Sequence, residues 1–363
     1  MPNWYATREA VKRAVRSNGN ENDEAIDRLI EAASRDIDNA THRWFIPKTQ
    51  TRLFRWPGRY GLGDTLWLDT DLISVTTLQT KAQDSSPTTI ASSDFFLEPN
   101  NFAPPYNRIE IDISSSAAFE SGDTSQRSIS VAGSWGFSND TVSVGTVSSG
   151  LASDATATEF VCSTGSLTSG INVGDTLLIE SEQLFVTEKT AAALASILLN
   201  GALTADKSEN LTVDGGTHGI SAGEIVRVDS EEMFVRAMTA TTLTVERAYN
   251  GTTLASHSDD AAVHIFRTLT ATRGVNGTTG AVHANSTAIS AYRAPAPIRE
   301  LTMALTIAAY TQEAAAWGRA IGAGDAAVEM TGREISALTQ RITDQYLRPR
   351  EYEIGRASCR ERV

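Results

Sequence analysis

The sequence predicts an α+β fold: a small helical bundle with a β wing, interrupted by an all-β insertion of sandwich-like or β-repeat type. Three observations predict it. Apolar residues recur at helical spacing near both ends, and strand-like alternation follows Pro47. From Asp140 to Tyr292 there is neither Pro nor Trp, although the chain has 10 Pro and 6 Trp, and Ser, Thr, Gly and Ala dominate instead.

The elements follow in order. A short helix is expected over Arg8 to Val15, ended by the turn signal Ser17-Asn18-Gly19-Asn20. In the next helix Ile26, Leu29, Ile30, Ala33, Ile37 and Ala40 form the apolar stripe, with Asn22 or Asp23 as cap. Glu24 with Arg28 and Glu31 with Arg35 are spaced as i,i+4 pairs on its wet face. Beyond Pro47, Leu66 and Leu68, then Ile109, Ile111 and Ile113, then Ile129 and Val131 alternate as strands with one buried face. Helical period returns at Ile298, Leu301, Leu305 and Ala308, with Pro297 in the first turn. A last helix carries Ile335, Leu338, Ile342 and Tyr346 on one face, with Thr331 and Glu334 at capping-box spacing.

The middle stretch copies itself. Leu243 to Arg267 realigns without gaps on Leu269 to Arg293, keeping Arg247/Arg273, Asn250/Asn276, Gly251/Gly277, Thr252/Thr278, Thr253/Thr279 and His257/His283. A second echo pairs Gly174 to Val186 with Gly223 to Val235, each an apolar strand, an acidic turn and another strand. Asn-Gly at 250 and 276 tolerates positive φ. A unit this small cannot bury its apolar face alone, so the copies are expected to stack as a sandwich or short β array.

The chain has 363 residues, 41% of them hydrophobic, enough for two or three domains with real cores. The expected segments are 1–138 and 294–353 as two parts of one domain and 139–293 as the insertion. Residues 354–363 read as the translation of a common sequencing-library adapter, an assembly artefact. No apolar run is long enough to span a membrane and no signal segment opens the chain, so a soluble cytoplasmic product is expected. With Cys162 and Cys359 alone, a disulfide framework and a four-thiolate zinc site are excluded. The net charge of −13 disfavours gripping nucleic acid, which needs clustered Lys and Arg, but suits a wall that repels a passing duplex.

The segment Ala25-Ile26-Asp27-Arg28-Leu29-Ile30-Glu31-Ala32-Ala33-Ser34-Arg35, followed by Thr41-His42-Arg43-Trp44-Phe45-Ile46-Pro47, resembles the opening of head-to-tail connector (adaptor) proteins of long-tailed bacteriophages. Gly133-Ser134-Trp135-Gly136-Phe137 and Ala294-Pro295-Ala296-Pro297-Ile298-Arg299-Glu300 resemble that family's strand end and Pro-led helix, here separated by the insertion. The resemblance covers roughly residues 5 to 137 and 294 to 350. It implies a connector-like bundle assembled into a ring of about twelve subunits in the virion neck, put together in the bacterial host cytoplasm. The implied partners are the portal protein and a stopper or tail-completion protein, with genomic DNA passing through the channel without sequence-specific contact. The inserted repeats resemble β modules of phage structural proteins.

Candidate sites are few. Gln345-Tyr346-Leu347-Arg348-Pro349-Arg350 has the composition of an interface anchor, and in connectors this region engages the portal. Tyr346, Leu347, Arg348 and Arg350, with Trp317, are therefore the candidate portal or subunit contacts. Trp44, Trp67 and Trp135 read as core anchors. His257 and His283, like His218 and His264, read as structural, since the chain lacks convergent partners for a zinc or nucleophile site. The acidic turns Glu180-Ser181-Glu182 and Asp229-Ser230-Glu231-Glu232 lack calcium-loop spacing and read as solvated. The glycosylation patterns at Asn139, Asn210, Asn250, Asn276 and Asn285 follow from Thr-rich composition. Phosphate-loop, zinc-protease and esterase motifs are absent, so no catalytic residue, metal or cofactor is expected. The rival expectation is a β-repeat adhesin or tail-associated carbohydrate-binding protein; a metal-dependent hydrolase is a third.

Overall fold

Thr7 caps the first helix by accepting from the Ala10 amide, and Arg16 ends it in the left-handed region, so in the computed structural model α1 spans Arg8–Val15. The structure describes residues 3–17, 20–59, 63–102, 104–163, 170–207, 210–214, 219–314 and 325–348. The other helices are α2 (Asp23–Thr41), α3 (Ala296–Ala314) and α4 (Asp325–Tyr346). None among the described residues is long and apolar enough to cross a membrane.

The chain divides into two compact units, one of Met1–Arg35 and Thr141–Gln340, the other of Asp36–Asp140 and Arg341–Val363. Residues 1–35 and 294–340 thus belong with the β-rich middle: one cut falls at 140/141, within two residues of the expected 138/139, and the others fall inside α2 and α4 rather than at 293/294.

In the second unit, β1 (Lys48–Phe54), β2 (Thr65–Thr80), β3 (Thr88–Ile90), β4 (Phe95–Glu98), β5 (Tyr106–Ile111) and β6 (Ile129–Trp135) form one antiparallel sheet. Its order is β1-β6-β2-β5-β4, with β3 on β2. The alternation puts Leu66, Leu68, Ile109, Ile111, Ile129 and Val131 into one core with the fully buried Trp135. Gly133 permits the β2–β6 approach, since a Cβ there would lie 2.1 Å from the Ser74 carbonyl oxygen. Two expectations fail here. Ile113 lies beyond the end of β5 and is 84% exposed, and Trp67 is 62% exposed because it has the opposite strand parity to Leu66 and Leu68.

The first unit holds two closed six-stranded barrels, one nested in the other. The host barrel pairs β7 (Thr141–Ser149) with β16 (Ala288–Tyr292), then β9 (Thr176–Ile179), the start of β10 (Glu182–Leu198), the end of β15 (Ala262–Thr272), β8 (Glu159–Cys162) and β7 again. The guest barrel runs from the far end of β10 to the start of β15, β12 (Ile225–Val228), β13 (Glu231–Met238), β14 (Thr242–Glu246) and β11 (Asn210–Thr212), and closes through the Leu199–Val213 bridge. Closure leaves these short strands no free edge.

The two echoes are the two halves of one repeat. Leu177, Ile179, Leu184, Val186, Leu269, Ala271, Ile289 and Ala291 in the host core answer Val226, Val228, Met233, Val235, Leu243, Val245, Val263 and Ile265 in the guest core. The first halves follow one another as host then guest, the second as guest then host, which is the signature of one copy inserted into the other.

The expected small helical bundle with a β wing is overturned: strands hold 37% of the chain and helices 22%, with four α-helices among the described residues. The physical reason lies in where the helices bury their stripes. Val11, Ile26 and Ile30 pack with Trp4 against Val173, Phe185 and Val275 of the host barrel, joined by Met303, Ile307 and Tyr310 of α3. Nor do the inserted copies stack as a sandwich; each closes on itself. The wet face of α2 also differs from its expected pairing, because Arg28 reaches Glu313 on α3 at 2.7 Å.

Candidate functional site

Three pieces of the second unit that lie far apart in sequence converge on one cluster. Phe45, Phe137 and Tyr346 form a triangle of rings, with centroids 5.5, 5.5 and 5.4 Å apart. The Phe137 amide donates to the Trp44 carbonyl at 2.7 Å, and the Gly136 amide to that of Asp71 at 2.9 Å. Arg43 lies over the Phe137 ring, donates from Nε to the Tyr346 carbonyl at 2.6 Å and from Nη1 to Asp71 Oδ2 at 2.6 Å. Arg348 grips the other oxygen of Asp71 and donates from Nη2 to the Leu68 carbonyl at 2.8 Å, while its amide bonds to Thr41. Asp71 is 2% exposed, so these two arginines are what make its burial tolerable.

Of the candidate contacts, Tyr346 is thus buried in the ring cluster and Arg348 is committed to Asp71, both within the chain. Leu347 between them is 40% exposed. Trp317 and Arg350 lie outside the described residues.

Sequence reasoning missed an outward face of the same unit. On β2, β5 and β4, register places Trp67, Arg108 and Glu98 in one row and Thr65, Glu110 and Phe96 in the next. The Arg108 guanidinium sits 5.3 Å from the centre of the Trp67 ring, and Phe96 is 51% exposed. Leu53, Trp67, Phe96, Phe102, Ile113 and Leu347, all exposed, belong to this unit. The parity of Trp67 against Leu66 and Leu68 was the available signal.

No family model matches the chain, and no curated protein or solved structure matches it at a significant level. The internal repeat therefore supplies the comparison that relatives would. Residues kept in both copies carry a shared structural device. Glu182 accepts from Arg273 Nε and Nη2 at 2.6 Å each, from the Gly274 and Ala281 amides and from His283 Nε2. Glu231 has the same set in Arg247, Ala248, Ala255 and His257. Burial by itself raises both carboxyls, but the arginine, amide and histidine hydrogen bonds outweigh it and hold both below the usual range.

Each histidine turns its other nitrogen to an acidic turn residue, Glu180 for His283 and Asp229 for His257, at 2.8 Å. These turns are thus not simply solvated, because Glu182 and Glu231 are buried. A second pair repeats as well, Arg293 with Asp175 and Arg267 with Glu224. The left-handed Asn276 and Asn250 follow the same rule, bonding to Gln183 and Glu232 and receiving Asn3 and Arg13 from the N-terminal segment. Among the described residues no group of His, Cys, Asp and Glu is arranged to hold a metal.

Proposed function

We propose that the protein is a structural virion component, a head-to-tail adaptor that forms a ring, binds the portal, extends the DNA channel and docks the next neck or tail protein. The observation that carries this reading is the apolar surface of the second unit, where aromatic side chains and an arginine share one sheet face, the composition of a protein interface core. The connector-like pieces Thr41 to Pro47, Gly133 to Phe137 and the end of α4 meet in that same unit around Asp71, which supports it. Leu347 is exposed beside this clasp, a suitable base for a tail that engages the portal. The acidic net charge suits a channel through which DNA slides.

The carbohydrate-binding reading fares worse. Sugar faces stack on exposed aromatic rings, whereas the exposed large apolar residues described on the barrels are Val142, Met238 and Val282. Mass photometry with negative-stain imaging of the chain, alone and mixed with the portal protein of the same genome, tests the assembly reading. Closed rings of about twelve subunits with a central hole, formed alone or on the portal, are expected. Monomers or trimers that ignore the portal would overturn it.

A further inference from the structure

A cavity of about 590 Å³ opens in the first unit between α1 and the seam where β10, β12 and β15 meet. Several of the residues that line it differ between the two repeats. Arg227 stands where the host barrel has Leu178, Phe266 where it has Tyr292, and Lys189 where the guest barrel has Met238. Positions shared by both copies hold the barrels together; a cationic pair present at one seam alone has no part in that shared framework.

Arg227 Nε is buried and has no hydrogen-bond partner among the described residues; the guanidinium lies 5.6 Å from the centre of the Phe266 ring. Lys189 sits 6.0 Å from the same ring and donates to the Ile171 carbonyl at 2.7 Å, leaving two of its three N–H groups. Of the nearby acids, Glu9 faces Lys189 most strongly, followed by Glu232 and Asp175, and each also has a partner of its own. Glu9 accepts from the Val173 amide, Asp23 pairs with Lys12 and Arg8, Asp229 with His257 and Glu232 with Asn250. Glu188 is exposed.

We infer that this cavity binds a small oxyanion, a carboxylate or a phosphate, held by Arg227 and Lys189, which lie near the same Phe266 ring. An oxyanion gives the Arg227 guanidinium the charged partner that it lacks among the described residues, and a charge-assisted bond in a half-buried site is stronger than its exposed counterpart. Burial lowers Lys189 from its ordinary value, with Glu9, Glu232 and Asp175 opposing the shift. The inference does not depend on the assembly reading.

Isothermal titration of the chain with inorganic phosphate and, separately, malonate tests it. Saturable one-site binding of at least one probe is expected, and which probe binds identifies the anion. Arg227→Leu and Lys189→Met, each installing the residue of the sister repeat, should weaken binding about tenfold or more while keeping the β-rich circular dichroism spectrum. Arg236→Leu removes a surface arginine paired with Glu246 on the same barrel and should leave affinity unchanged. Absence of saturable heat with both probes, unchanged affinity in folded Arg227→Leu and Lys189→Met, or equal loss in Arg236→Leu would overturn the inference.

Discussion

Glu231 and Glu182 show how single residues decide stability here. Each is a buried carboxylate with a full set of donors, so removing the acid strands a buried arginine. Glu231→Ala is expected to cost about 3–5 kcal/mol in urea denaturation. Because both folded carboxyls sit below the usual range, their contribution is present above that range and lost as pH falls through it. Glu9 works the other way. Burial pushes it up to about 7, against Lys189, the Val173 amide and Arg8. The folded chain then holds a proton that the unfolded chain has released, so stability falls as pH rises from the ordinary carboxylate range towards neutrality. Glu9→Gln should flatten the change in Tm between about pH 5 and pH 7. In the other unit, Arg348→Ala should destabilise by about 2 kcal/mol or more, and the double-mutant cycle with Arg43→Ala should show coupling through Asp71.

At the scale of elements, the nested barrels carry a sharper expectation. Leu198 of β10 and Ala262 of β15 are cross-strand partners at the point where the guest barrel begins. Replacing residues 199–261 with a short Asn-Gly turn should therefore leave the host barrel closed, since none of its pairings uses the excised strands. A single cooperative melt with a strand-type circular dichroism spectrum checks this; a non-cooperative melt would show that the barrels fold only together. Hairpin strands such as Leu177/Ile179 and Val226/Val228 were readable because alternation is local. The closures were not, since whether β12 ends in a stack or a ring depends on the register of strands far along the chain.

For the whole molecule, the division into units predicts how the chain tolerates truncation. Removing residues 140–292 while keeping 1–35 uncovers Trp4, Val11, Ile26 and Ile30, whose partners include Val173, Phe185 and Val275, so that product should aggregate. A chain of residues 36–140 joined to 341–348 retains the sheet core and the Asp71 clasp and should run as a folded species in size-exclusion chromatography.

The sequence by itself determined the helix at Arg8–Val15, the inward parity of Leu66, Ile109 and Val131, the turn asparagines and both internal echoes. Each of these is written in a window of a few residues or in direct copying. Tertiary structure alone decided that the echoes are two halves of one nested repeat, that Arg247 and Arg273 serve different glutamates, that residues 1–35 side with the barrels, and that Tyr346 and Arg348 close on their own chain. Those outcomes rest on partner choice over long sequence separations. A stripe or an arginine specifies that it must be covered or paired, and only the competition among distant registers and buried surfaces specifies by what.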